Sequence, residues 1–86
     1  MAKRDFIDLR VKGLIKEVSV SVANTQTVGS SAADVELQGG FIIGYHPASN
    51  QDQHIDNMVL NADGSVTITL AAAATATNYF TVIVIR

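Results

Sequence analysis

Apolar and polar positions alternate with a period of two along much of the chain. Ile7, Leu9 and Val11 are interleaved with Asp8, Arg10 and Lys12; Val18, Val20 and Val22 with Ser19 and Ser21; Val66, Ile68 and Leu70 with Thr67 and Thr69. Successive side chains of a strand point to opposite faces, so each run predicts a strand with one buried face and one solvated face. Two stretches are apolar on both faces instead: Phe41-Ile42-Ile43-Gly44-Tyr45, and the closing Tyr79-Phe80-Thr81-Val82-Ile83-Val84-Ile85 before Arg86. Val82 to Ile85 are four consecutive β-branched aliphatics, which calls for cover on both sides of that strand.

The remaining segments join these strands. Ile7, Val11, Leu14, Ile15 and Val18 also share one helical face, but Gly13 falls inside that helix and Val18–Val22 is strand-like. A strand, a break or bulge at Gly13, and a second strand over Leu14–Val22 is the preferred reading. Residues 23–34 are small and polar and predict a loop, with a short edge strand around Thr25–Val28. Val35-Glu36-Leu37 reads as the restart of a strand that runs into Gln38-Gly39-Gly40, where the Gly pair marks a tight turn or a close backbone approach; Phe41–Tyr45 follows, and Pro47, which has no N–H to give a ladder, ends it. Residues 48–54 form a polar surface loop. Ile55–Leu60 returns to strand, with Met58 and Leu60 on one face and Val59 on the other. Asn61-Ala62-Asp63-Gly64 predicts a hairpin turn into Ser65–Leu70, because Asp-Gly accepts the positive φ such turns need. Residues 71–77, rich in alanine, are too short for a stable helix and predict a compact connection of one turn at most.

Composition supports this. Eleven of the residues in the 48% apolar fraction are alanine, and the larger core formers are 10 Val, 8 Ile, 5 Leu and 3 Phe. Val, Ile and the seven Thr suit a pleated sheet better than a helix. The expected fold is all-β: a small antiparallel sandwich or barrel of six to seven strands, of jelly-roll or immunoglobulin-like type, without significant helix. Residues 1–86 form one domain, with residues 1–5 as a charged N-terminal arm. A chain of 86 residues without cysteine has neither disulfides nor thiolate-held zinc to support it, which leaves tight packing or partner subunits.

Charge is unevenly placed. Lys3, Arg4, Arg10, Lys12 and Lys16 against Asp5, Asp8 and Glu17 leave residues 1–17 at +2, whereas Arg86 against Asp34, Glu36, Asp52, Asp56 and Asp63 leaves residues 18–86 at −4. The net acidic balance argues against a dedicated nucleic-acid binder. No apolar run follows Lys3-Arg4-Asp5 as in a signal peptide, and no stretch approaches the ~20 apolar residues of a membrane span. Synthesis in the cytoplasm without membrane partners is the expectation.

Candidate chemistry is sparse. His46, Asp52, His54 and Asp56 are the weak candidates for a transition-metal site, but their spacing matches no metal motif, and no metal or cofactor is expected. Asn61–Gly64 lacks the bidentate acid of a calcium loop. Ser49 lies near both histidines without the glycine-flanked elbow of a nucleophile. Gly39, Gly40 and Gly44 are followed by no Lys-Ser/Thr, so they are not a phosphate loop. No enzymatic activity is expected. Tyr45 and Tyr79 are candidate stacking platforms; with the 45–56 loop they make a glycan- or receptor-binding module the alternative function. The candidate interface residues are Val82, Ile83, Val84, Ile85, Phe41 and Ile43.

Three segments together carry a resemblance. Met1-Ala2-Lys3-Arg4-Asp5-Phe6 leads directly into a strand; Leu37-Gln38-Gly39-Gly40-Phe41-Ile42-Ile43-Gly44-Tyr45-His46-Pro47 forms the middle; and Gly64 to Asn78 precedes the β-branched terminal strand. In style this resembles the small structural proteins of tailed bacteriophage particles, capsid decoration (cement) proteins and the head domains of virion fibres. The resemblance covers most of the chain but transfers no site residue. It implies a β-sandwich located in the virion, forming a homo-oligomer, a trimer above all, that binds the major capsid protein or another virion protein.

Overall fold

The structure, a computed structural model, describes residues 15–86; the strand expected over residues 6–12 and the arm at residues 1–5 lie outside the described residues. Six strands follow in order: β1 (Ile15–Val22), β2 (Val28–Ser30), β3 (Phe41–Pro47), β4 (Ile55–Leu60), β5 (Val66–Leu70) and β6 (Asn78–Ile85). They form two antiparallel three-stranded sheets, β1-β6-β3 and β2-β5-β4, packed face to face. The fold is the all-β sandwich that the alternation predicts.

The two-sided terminal strand has a direct explanation: β6 is the central strand of its sheet, paired with β1 on one side and β3 on the other. Phe80, Val82 and Val84 point inward and are buried, while Ile83 and Ile85 point outward and are half-buried. Facing them across the core are Val66, Ile68 and Leu70 of β5, also central and fully buried. Burying each such Val, Leu, Ile or Phe contributes about 1.5–3 kcal/mol. The core therefore runs along the pair β5 and β6, with Val20, Val22, Leu37 and Ala74 around it.

The β4–β5 turn forms as the Asp-Gly signal requires. Gly64 has φ 86°, its amide donates to the Asn61 carbonyl at 3.0 Å, and the Asn61 amide donates to the Ser65 carbonyl at 2.8 Å. Asp63 tightens it by accepting from the Ser65 amide (2.9 Å) and hydroxyl (2.6 Å) through Oδ1.

Three connections depart from expectation. Val35–Leu37 is a 3-10 turn, not a strand. The Asp34 carboxylate accepts from the Glu36 amide at 3.0 Å, and the Leu37 amide donates to the Asp34 carbonyl at 3.0 Å. A short acidic side chain that satisfies its own downstream backbone competes with a sheet ladder, and here it wins. The turn drops Leu37 into the core and leaves Val35 exposed, two residues that a strand would put on one face. The edge strand suggested at Thr25–Val28 instead spans Val28–Ser30, because Thr25 sits at φ 73°, outside the extended region. Residues 71–77 contain bends and no helical turn; Ala74 is buried and fixed by backbone bonds to Thr25 and Gln26.

One side of the sandwich is closed. A Cβ on Gly29 of β2 would run into the backbone of Ser21 and Val22 of β1, so the two sheets meet there backbone to backbone. The opposite side is different. Among the described residues β3 has only β6 as a hydrogen-bonded neighbour, and β4 has only β5. Inward-facing residues show the consequence: Ile42 of β3 and Ile55, Met58 and Leu60 of β4 are only half-buried, while their counterparts on β5 and β6 are sealed.

Candidate functional site

β3 presents Phe41, Ile43 and Tyr45 to solvent, at 71%, 51% and 41% exposure, on a strand whose seven residues include no Asp, Glu, Lys or Arg. Edge strands of soluble proteins are usually blunted by charge, proline or a bulge, since their unpaired N–H and C=O groups template further pairing. β3 has the last two but lacks the first. A bulge at Ile43 shifts its register on β6 between Ile42 and Gly44, and Pro47 closes it. Register places Phe41 beside Ile85, and Ile85 beside Ile15, so an apolar row crosses the outer face of the sheet at this end, exposed at Phe41, half-buried at Ile85 and buried at Ile15. The outer face of the other sheet is mixed, with Val28 and Val59 exposed among Ser30, Asn57, Thr67 and Thr69. Ser30 and Thr67 share a hydrogen bond at 2.8 Å there, and the Asn61 side-chain amide donates to Thr67 Oγ1 at 2.8 Å.

The six candidate interface residues divide by this geometry. Val82 and Val84 are fully buried between the sheets and have no surface to offer. Ile83 and Ile85 lie half-buried on the outer face, and Phe41 and Ile43 are the exposed members. Sequence reasoning did not pick out Ile42, Met58 and Leu60. Their apolar character is that of any core residue, and their partial exposure is shared by Val18 of β1.

The polar loop is built for structure. The Asp52 carboxylate accepts four N–H groups: Thr75 amide on Oδ1 (3.2 Å), and Ala76 amide (3.1 Å), Asn78 Nδ2 (3.0 Å) and Asn50 Nδ2 (3.3 Å) on Oδ2. Partial desolvation alone would raise its pKa, but these bonds, from the Thr75 amide first, hold it below the ordinary carboxylate value. Residues Gln51 to His54 line an open depression of about 430 Å³ beside it. Asp52 has its acceptor sites taken, His54 and Asp56 are exposed, and His46 faces outward beside Thr81 on β3. The four candidate ligands do not converge: among the described residues no three His, Asp or Glu side chains gather as a metal site would require.

The tyrosines do not form one platform either. Tyr45 pairs in register with the buried Val82, and its ring meets Phe80 edge-on at a centroid distance of 6.0 Å. Tyr79, beside Ser21, lies on the opposite face of the same sheet. A shallow groove of about 290 Å³ runs past Tyr79, lined by Ser19, Ser21 and Ala48. Ser49, between β3 and the polar loop, is exposed.

Among the described residues the unusual feature is an uncharged edge strand with Phe41 and Ile43 exposed. No known protein family matches this chain, and neither the curated proteins nor the solved structures include one significantly similar to it.

Proposed function

We propose that this chain is a non-enzymatic structural protein that assembles into a homo-oligomer through the β3 side of its sandwich and acts as a decoration or stabilisation protein of a virus particle. One observation carries the reading: an uncharged edge strand with Phe41 and Ile43 exposed, next to a core only half-covered on the same side. A contiguous apolar surface on a soluble domain marks a place where another protein sits. The acidic remainder of the described surface favours this neutral strand as the contact between like-charged copies. The virion assignment rests on the sequence resemblance and adds the shell protein as second partner.

The test is the mass in solution. Sedimentation equilibrium of the full chain at micromolar concentration is expected to give a stable oligomer, and Phe41→Asp is expected to weaken it. A clean monomer for the unaltered chain would overturn the reading. For the particle assignment, the protein is expected to co-sediment with shells of its parent virus; failure to bind them would remove that part.

A further inference from the structure

At the start of β6, on the outer face of the β1-β6-β3 sheet, Tyr79 stands 48% exposed beside Ser21, and the groove of about 290 Å³ runs past its ring. We propose that this groove is a carbohydrate subsite: the Tyr79 ring stacks on the apolar face of one neutral sugar ring, and the hydroxyls of Ser19, Ser21 and Tyr79 bond the sugar hydroxyls. The inference is independent of the assembly reading above.

Four observations carry it. First, the ring is held ready. The Tyr79 amide donates to the Asn50 carbonyl at 3.2 Å, its carbonyl accepts from the Ala48 amide at 2.8 Å, and the next residue, Phe80, is buried. An exposed tyrosine on a fixed backbone offers an apolar face with a polar tip at little ordering cost. Second, the hydroxyls around it are uncommitted. Among the described residues the side chains of Ser19, Ser21 and Tyr79 make no hydrogen bond within the chain, whereas Ser30 and Thr67 on the other sheet bond each other at 2.8 Å. Each free hydroxyl both donates and accepts, which is the capacity a polyol requires. Third, charge selects a neutral ligand. No lining residue is charged, and residues 15–86 carry Lys16 and Arg86 against six acids. A phosphate, sulfate or carboxylate would meet no cation in the groove and a negative field around it. Fourth, the volume lies at the lower end for small-molecule sites, which suits one terminal ring over an extended chain. Six residue steps of β6 separate Tyr79 from Ile85, about 20 Å, so the groove stays clear of the Phe41 end of the sheet.

The probes are the methyl glycosides of glucose, galactose, mannose and N-acetylglucosamine, titrated into the isotope-labelled full chain and read by amide chemical shifts. At least one is expected to give saturable shifts centred on residues 19–21 and 79–80, with a Kd of about a few millimolar, the strength that one ring contact and two or three hydrogen bonds supply. Tyr79→Ala is expected to abolish those shifts with the β-sheet spectrum retained. Tyr79→Phe, which keeps the ring, and Ser21→Ala are each expected to weaken binding by less than about tenfold. These two variants decide the question should Tyr79→Ala fail to fold: unchanged affinity in both would overturn the proposal. No saturable shift from any of the four glycosides up to about 50 mM would also overturn it, as would binding that survives in a folded Tyr79→Ala chain. Equal or tighter binding of N-acetylneuraminic acid, which carries a carboxylate, would contradict the charge argument, and shifts produced at the groove only by an apolar tripeptide would assign it to peptide instead.

Discussion

Asp52 and Asn78 bind each other reciprocally: the Asp52 amide donates to Asn78 Oδ1 at 2.9 Å, and Asn78 Nδ2 donates back to Asp52 Oδ2 at 3.0 Å. Asn78 begins β6 and is fully buried, so this pair staples the polar loop to the start of the central strand. Asn78 Nδ2 also donates to the Ala76 carbonyl at 2.8 Å, which leaves its side chain satisfied. Asn78→Ala is expected to cost about 1–3 kcal/mol, the usual penalty for leaving buried polar partners unmet. Urea unfolding measures it; a change below about 0.5 kcal/mol would show that water replaces the side chain at no cost.

Acid sensitivity follows from two carboxylates. Asp63 is held below the ordinary range by the Ser65 hydroxyl and then the Ser65 amide, and Asp52 by the donors that outweigh its desolvation. Because both folded-state values are depressed, the unfolded chain takes up protons first as pH falls. Their stabilisation is complete above the unfolded value near pH 4 and is lost as pH drops through the folded values. Melting temperature is expected to be level from pH 5 to 7 and to fall below about pH 4. Asp52→Asn is expected to flatten that fall; an identical acid slope in the variant would exclude Asp52 as its source.

Parity along β6 and β3 separates folding from assembly. Val82 is fully buried, so Val82→Asp places an unpaired charge between the sheets and is expected to unfold the protein, with loss of the β-sheet spectrum. Phe41 is 71% exposed, and Phe41→Asp is expected to change monomer stability by less than about 0.5 kcal/mol while lowering the assembled mass. Circular dichroism with sedimentation reads both effects; an unfolded Phe41→Asp would mean that this ring belongs to the core.

Gly64 is fixed twice, by φ 86° and by the backbone of Asp34, into which any Cβ would run. Gly64→Ala is therefore expected to cost more than the ~1 kcal/mol of a simple left-handed alanine, and about 3 kcal/mol once the Asp34 segment must move. Thermal or urea unfolding tests this. A loss under about 1 kcal/mol would show that the Asp34 turn yields freely.

The strands at Val18–Val22 and Val66–Leu70 were legible because period-two alternation is a local property: each residue's face follows from its neighbours. The hairpin at Asp63-Gly64 was legible for the same reason, since the turn's backbone demands are met by the residues within it. The 3-10 turn at Val35–Leu37 was not, because its apolar spacing matches a strand and only the Asp34 carboxylate, bonded to the Glu36 amide, decides otherwise.

Sequence alone determined that the chain is all-β and that Val82–Ile85 is uncharged on both faces. It also drew attention to His46, Asp52, His54 and Asp56, of which the fold gathers no three as a metal site would require. Tertiary structure decided why the terminal strand is two-sided: it is the centre of its sheet, with Val82 and Val84 sealed by the facing strands and Ile83 and Ile85 on the outer surface. It also decided that β3, among the described residues, pairs with β6 alone. Strand order depends on contacts between residues far apart in sequence, such as Tyr45 with Val82 and Gly29 with Ser21, and no local pattern encodes them.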